Sequence, residues 1–413
     1  MTAVLRYGAA EAVEFDLPDG VLVADCSSPR GTPVSDVAVA VRAAIDAPLD
    51  FPPLVLAAVP GDKIVLAVDP AVPSLPTVVA TIVEALLVHG AQPEEIGILQ
   101  TRAADGPASN SPGDDPRSAL PAAVRKAVSL LTHDPDNADE HCHLLNLPDG
   151  EEVRIHRSLF DADLIVPIGC LRVKSAWEYA GVHGCLFPAF GDAASQRRFR
   201  ESAAASPTPR KKRLSDVHEV AWNMGVVLTV QVIPGAGEKI LHVLCGEPRS
   251  VAKQGAELCA AAWRFDVPHR ADLVVLGLEG NAEQQTWENV ARAVASALPL
   301  VAEEGVLAVC SELATPPGPA LRRLVGAEDS AVAVKRIRKQ HTADAPAAMQ
   351  LARSLEQTKI FLLSRLDADD VEELGLAPVA EAGDIARLAR RSASCILLSN
   401  AQFAVGKLTE TTE

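Results

Sequence analysis

Residues 63–69, KIVLAVD, form an unbroken apolar run that ends on an acid. Such a run reads as a strand buried on both faces, and strands of that kind belong to parallel sheets. The next segments agree. TVVATIVEALLVHG places apolar residues at helical spacing and stops at Gly90, and EEIGILQ reads as another strand. Strand, helix, strand is a βαβ unit. It predicts an α/β fold with a doubly wound, mostly parallel sheet, whose ligands gather beyond the carboxyl ends of the strands. Asp69 stands at such an end.

The same grammar continues. LRYG and AVEFDL read as short strands around a Pro18-Asp19-Gly20 turn, and SDVAVAVRAAIDAP as a helix. PAAVRKAVSLLTHD reads as one helix. EEVRIHRSLFDADLIVPIGCL reads as a polar strand, a short helix and a buried strand. LSDVHEVAWNMG is expected helical, VVLTVQVIP and KILHVLCG extended. From Ala271 the pattern restarts with the strand DLVVLGLEG, a long helix over TWENVARAVASALPLVAEEG and the strand VLAVCSEL. KIFLLSRL and SCILLSN follow as strands, with helices at DDVEELG and AGDIARLARR. Two domains are expected, 1–259 and 260–413, each a mostly parallel sheet flanked by helices, with a cleft between them. The Pro/Gly/Ser-rich stretch 104–121 reads as a loop that is either functional or disordered.

Composition narrows the setting. A net charge of −16 opposes approach to duplex nucleic acid or an anionic membrane, so neither is expected as a partner. The basic run Arg210-Lys211-Lys212-Arg213 reads as a solvated loop entering a helix; a phosphate-binding patch is the alternative. The eight cysteines form no CxxC pair, and several lie in apolar runs. Buried reduced thiols in a cytoplasmic protein explain them. No leader segment is expected at the start of the chain, and no apolar run reaches the roughly 20 residues of a membrane span.

The order of these segments resembles the nickel-pincer lactate racemase family. LVLAAVPGDKIVLAVD is similar to its first βαβ unit, and THDPDNADEHCHLLNLPDGEEVRIHRSLFDADLIVPIGCL to the stretch before its cofactor loop. YAGVHG is similar to its Ala-Gly-aromatic-Ser-Gly-Gly loop, and LEGNAEQQTWENVARAV to the start of its second domain. The resemblance implies a two-domain α/β architecture and a bound 2-hydroxy acid. It also implies a nickel ion in a lysine-tethered pyridinium dithio mononucleotide, with two histidines alternating as base and acid and a third on the metal.

The chain departs from that pattern where the chemistry sits. The Asp-Asp-x-Thr-Arg-Pro motif is here VDPAVPSLP, with Asp69 kept and Val72-Pro73 at the Thr-Arg positions. LQTRAADG lacks the histidine of the second motif. The loop histidine falls near Trp177, the anchoring lysine near Phe187, and no histidine stands at the metal position. Trp287 replaces a tyrosine and Ala291 a lysine, with Arg292 one place on. A thioamide tether needs an amine, and an alcohol needs a base within hydrogen-bond reach. No cofactor is therefore expected.

Several residues remain as candidates for a rebuilt site. Arg172 or Lys174 can bind a carboxylate, arginine bidentately. His183 and Cys185, in His-Gly-Cys, can jointly ligate a metal or act as base and nucleophile. Asp69 and Trp287 are candidate ligand contacts. His141-Cys142-His143 is expected as a polar surface strand; alternation puts the cysteine opposite the two histidines, though His133 or His156 could add a ligand. No metal site is expected. Two readings follow: a family member that binds a small organic acid without racemising it, or an isomerase rebuilt around Arg172, Lys174, His183 and Cys185.

Overall fold

In the computed structural model the described residues are 2–101, 115–173, 180–205, 208–325, 330–338, 342 and 344–409. Strands β1 (Thr2–Tyr7), β2 (Glu11–Asp16) and β3 (Leu22–Cys26) open the chain. Helix α1 (Val37–Asp46) leads to β4 (Ile64–Val68), α2 (Leu75–Val88) and β5 (Ile96–Thr101). Next come α3 (Ala122–Ala127), β6 (Ser129–His133), β7 (His141–Asn146), β8 (Glu152–His156), α4 (Arg157–Phe160) and β9 (Leu164–Cys170). Helices α5 (Ala193–Ala205) and α6 (Thr208–Asn223) precede β10 (Thr229–Pro234), β11 (Ile240–Gly246) and α7 (Pro248–Trp263).

These strands build a sheet of order β11-β10-β9-β4-β5-β6. All its pairs are parallel except β10 with β11. Every residue of β4 is buried, as an apolar run between two helical layers requires. The stretch 122–134 is not one helix. α3 ends at Ala127, and 129–133 pair with β5 as the sheet's outer strand. Pairing with Ile98 and Leu99 outweighs the helical spacing of the apolar residues.

The second half contains β12 (Arg264–Val267), β13 (Ala271–Gly277), α8 (Trp287–Ala297), β14 (Val301–Cys310), α9 (Ser330–Arg338) and α10 (Ala345–Leu355). It closes with β15 (Lys359–Leu363), α11 (Ala368–Glu373), β16 (Ala377–Val379), α12 (Ala382–Arg391), β17 (Cys395–Ser399) and β18 (Val405–Leu408). A fully parallel sheet runs β16-β15-β14-β13-β17-β3. The long helix expected to Gly305 ends at Ala297. Pro299 lies in a single 3-10 turn, and the chain turns into β14 at Val301.

The edge strand β3 comes from residues 22–26, so the N-terminus belongs to the sheet of the C-terminal half. The β1–β2 hairpin packs Leu5, Val13 and Phe15 on the same sheet, against Leu273, Val275 and Leu397. The stretch 104–121 falls mostly outside the described residues; within its last part Asp115 pairs with Arg117 at 3.0 Å. The basic run lies in α6 rather than in a loop. There Lys212 pairs with Asp149 at 2.5 Å and Asp216 at 3.1 Å, and Arg213 stacks over Phe199. Acid partners on its own helix and on the β7–β8 turn hold the run in helical register.

Candidate functional site

Each sheet has a point where successive connections leave in opposite directions. In the first sheet it lies between β4, whose chain continues to β5, and β9, whose chain continues to β10 on the other side. In the second it lies between β13 and β17. Ligand crevices of open α/β sheets form at such points, beyond the strands' carboxyl ends. Asp69 follows β4 and Arg172 follows β9. Asp69 N–H donates to Ile168 O at 2.9 Å, which ties the two strand ends together.

The two crevices meet. The Arg172 guanidinium donates to Gln402 O, just past β17, at 3.3 Å, and stands 5.3 Å over the Phe403 ring. Glu279, past β13, accepts from Asn400 Nδ2 at 2.8 Å and bridges the second switch point. Glu288 and Arg292, on the first turns of α8, lie within electrostatic reach of Asp69 and of Arg172. Thr286 caps α8 by accepting from Asn289 N–H at 3.2 Å. Arg292 is buried and donates to Asn289 and Glu288. The junction therefore holds two arginines, Asp69 and Glu288.

Burial raises the Asp69 pKa, and Glu288 adds to the rise. The Ala71 N–H at 2.9 Å, Arg172 and Arg292 oppose it. Burial, then the like charge of Arg292, lowers that of Arg172. Arginine stays charged regardless. Among the described residues no carboxylate lies within 4.0 Å of Arg172. The arrangement suits a small anion, whose carboxylate a guanidinium grips through two parallel hydrogen bonds.

The other candidates disperse. Cys185 is near Asp69, and Gln231 Nε2 donates to its sulfur at 3.7 Å. Burial pushes this thiol up to about 12, and Cys170 likewise. His183 faces His218, ring centroids 5.7 Å apart; burial and then His218 push it down to about 4. Trp287 is 1% exposed in the C-terminal core, its indole N–H on Thr315 O at 2.9 Å. Lys174 and Trp177 lie outside the described residues. Phe187 is 4% exposed among Leu186, Phe190 and Val217, edge-on to Phe199. Val72 is buried in the core beneath α2, and Ala291 inside α8.

Sequence reasoning missed Glu288 as a site residue and Gln402 altogether. Their signal was positional: both follow a parallel strand's carboxyl end. The surface-strand expectation for His141-Cys142-His143 holds only for His143. His141 is 2% exposed at the start of β7, directly after a 3-10 turn at Ala138–Glu140. Among the described residues no group of three or more His, Cys, Asp or Glu is arranged to hold a metal ion.

The model of the lactate racemase N-terminal domain matches residues 7–203. Residues 7–203 of the chain thus belong to the lactate racemase N-terminal domain family. The lactate racemase apoprotein of Thermoanaerobacterium thermosaccharolyticum is similar over 98% of this chain and 100% of its own, at TM-score 0.79 and 17% identity. A protein of Thermotoga maritima is similar over 84% of this chain and 94% of its own, at TM-score 0.65 and 14% identity. At such identities these two likenesses speak for the fold. No curated protein matches the sequence. No helix among the described residues is long and apolar enough to cross a membrane.

Proposed function

We propose that this chain is a lactate-racemase-family protein that binds a small organic acid, of the 2-hydroxy acid class, where its two sheets meet, without nickel-pincer racemisation. The observation that carries the reading is Arg172. Its guanidinium is held at the junction by Gln402 O and Phe403, beside Arg292, with no carboxylate of the described residues in ion-pair range. A ligand carboxylate supplies the missing counter-charge. Asp69 or Glu288 would accept from its hydroxyl.

The residues do not fit the family's tethered nucleotide. The anchoring lysine falls near Phe187, which is packed in an apolar cluster and has no amine to form a thioamide. Val72 is a buried apolar side chain where the family has a threonine, and Ala291 one where it has a lysine.

The isomerase alternative is less well supported. A thiol at about 12 is protonated at neutral pH, and a nucleophile must be a thiolate. His183 is turned to His218, whereas Cys185 is turned to Gln231 and Asp69. A reducing, cytoplasmic setting suits the eight cysteines, none of which is in a disulfide.

The test is calorimetric titration of the purified chain with a panel of 2-hydroxy acids, beside Arg172→Ala. Binding by the parent that weakens about 10- to 100-fold in the variant supports the reading, since a charged hydrogen-bond pair is worth about 1.5–3 kcal/mol. No binding, or equal binding by both proteins, removes it.

A further inference from the structure

Three buried imidazoles meet away from the crevice. His133 ends β6, His141 begins β7 and His156 ends β8. Their ring centroids are 5.2, 5.7 and 6.3 Å apart, all edge-to-face, and none of the three is more than 6% exposed. Each ring is fixed through one nitrogen. His133 Nε2 donates to Gly191 O at 3.0 Å, and His141 Nδ1 to Asn137 O at 2.8 Å. His156 Nδ1 meets Ser158 Oγ at 2.8 Å. The opposite nitrogens of His133 and His141 are buried with no hydrogen-bond partner.

The His133 ring, on Gly191 O, and the backbone around the trio clasp one segment. His156 N–H donates to Phe190 O at 2.9 Å, Asp192 N–H to Arg154 O at 3.2 Å, and Ala193 N–H to Pro135 O at 2.9 Å. Residues 190–193 are thus pinned to the ends of β6 and β8. The same segment closes the loop that carries His183, Cys185 and Phe187.

We propose that His133, His141 and His156 form an acid-sensitive latch. Neutral, they pin residues 190–193; protonated, they repel one another and release that segment together with the 180–191 loop beside the crevice. A proton added to His133 Nδ1 or His141 Nε2 finds no acceptor and stands against a neighbouring ring, whereas His156 Nε2 faces a carboxylate, Glu140, at 3.5 Å. Charged groups of both signs surround the trio. Asp134 beside His133 and Glu140, 3.5 Å from His156 Nε2, favour protonation. Arg154, which donates to His141 O at 3.4 Å, opposes it, and Gln196 from α5 contributes no charge. Burial and the two neighbouring rings keep His133 neutral down to about 4.

The test is hydrogen exchange followed by mass spectrometry on the full chain from pH 7.5 to 3.5, corrected for the intrinsic pH dependence of exchange. Protection in 133–156 and 180–193 should fall at least tenfold before that of β13, β14 and β17 changes. His141→Phe keeps a ring of similar shape and cannot protonate, so its release should move to lower pH. His156→Gln serves the same purpose if the first variant does not fold. Simultaneous loss over both sheets would overturn the latch, as would an unshifted release in the variants. Protection retained at low pH only when Zn2+ is added would also overturn it and make the trio a metal site.

Discussion

At the scale of single residues, the contrast between Arg172 and Phe187 organises the molecule. Arg172 is half-buried and positively charged, and donates to Gln402 O. Phe187 is sealed in hydrocarbon. Phe187→Ala should cost about 3–5 kcal/mol of stability, the usual range for emptying an aromatic site, read as a lower urea midpoint. Ligand affinity should follow the parent's wherever the variant stays folded. The buried histidines set the pH dependence. His133 and His183 titrate near 4 in the fold and near 6.5 when unfolded. Below 6.5 the unfolded chain takes up protons that the folded chain refuses, so stability falls with falling pH. The loss runs from 6.5 down to about 4 and then levels off. It should amount to roughly 3 kcal/mol per histidine, visible as a falling denaturation midpoint across that window. A midpoint flat from pH 7 to 5 would contradict it. The places of Asp69 and Arg172 at strand ends, and of Cys185 after a loop glycine, were legible from the sequence. The histidine trio was legible only as scattered candidates: its three members come from three strands, and one strand's alternation cannot show their convergence.

At the scale of elements, apolar runs were the clearest text. β4, β9, β13 and β17 are buried through nearly their whole length, and each was readable as a strand. The errors fell where helical and extended patterns overlap. Residues 129–133 are partly exposed, so their apolar spacing fits either state, and only β5 decides. At 298–301 a proline breaks what periodicity alone continues. Helix α8 matters most for the site, since its first turns carry Glu288 and Arg292. Thr286→Ala should cost about 1 kcal/mol through loss of the N-cap. It should also weaken acid binding modestly by loosening that turn; an affinity unchanged beside a lowered melting temperature would separate the helix from the site. Gly246 shows a harder constraint. Its φ is 141°, and a Cβ there would collide with the Leu49 backbone. Gly246→Ala should therefore be severely destabilising, seen as loss of soluble folded protein.

At the scale of the whole molecule, a mostly parallel and a fully parallel sheet meet at their strands' carboxyl ends through Arg172 and Gln402, and the N-terminus crosses to complete the second sheet. A fragment of residues 260–413 lacks β3 and the β1–β2 hairpin, leaving Leu273, Val275 and Leu397 uncovered. It should not unfold cooperatively in urea, whereas addition of residues 1–36 should restore a sharp transition. That crossing was not readable in advance, because β3 and its partner β17 are separated by most of the chain. The scaffold was readable; the departures from the family's motifs were readable only as substitutions, whose surroundings the fold supplies. The central claim is that this scaffold carries no tethered nickel nucleotide. Its most direct test is the intact mass and nickel content of the protein, co-expressed with the enzymes that make the family's cofactor in nickel-supplemented medium. The account predicts the plain polypeptide mass and no stoichiometric nickel. A nucleotide-sized added mass with one nickel per chain would contradict it.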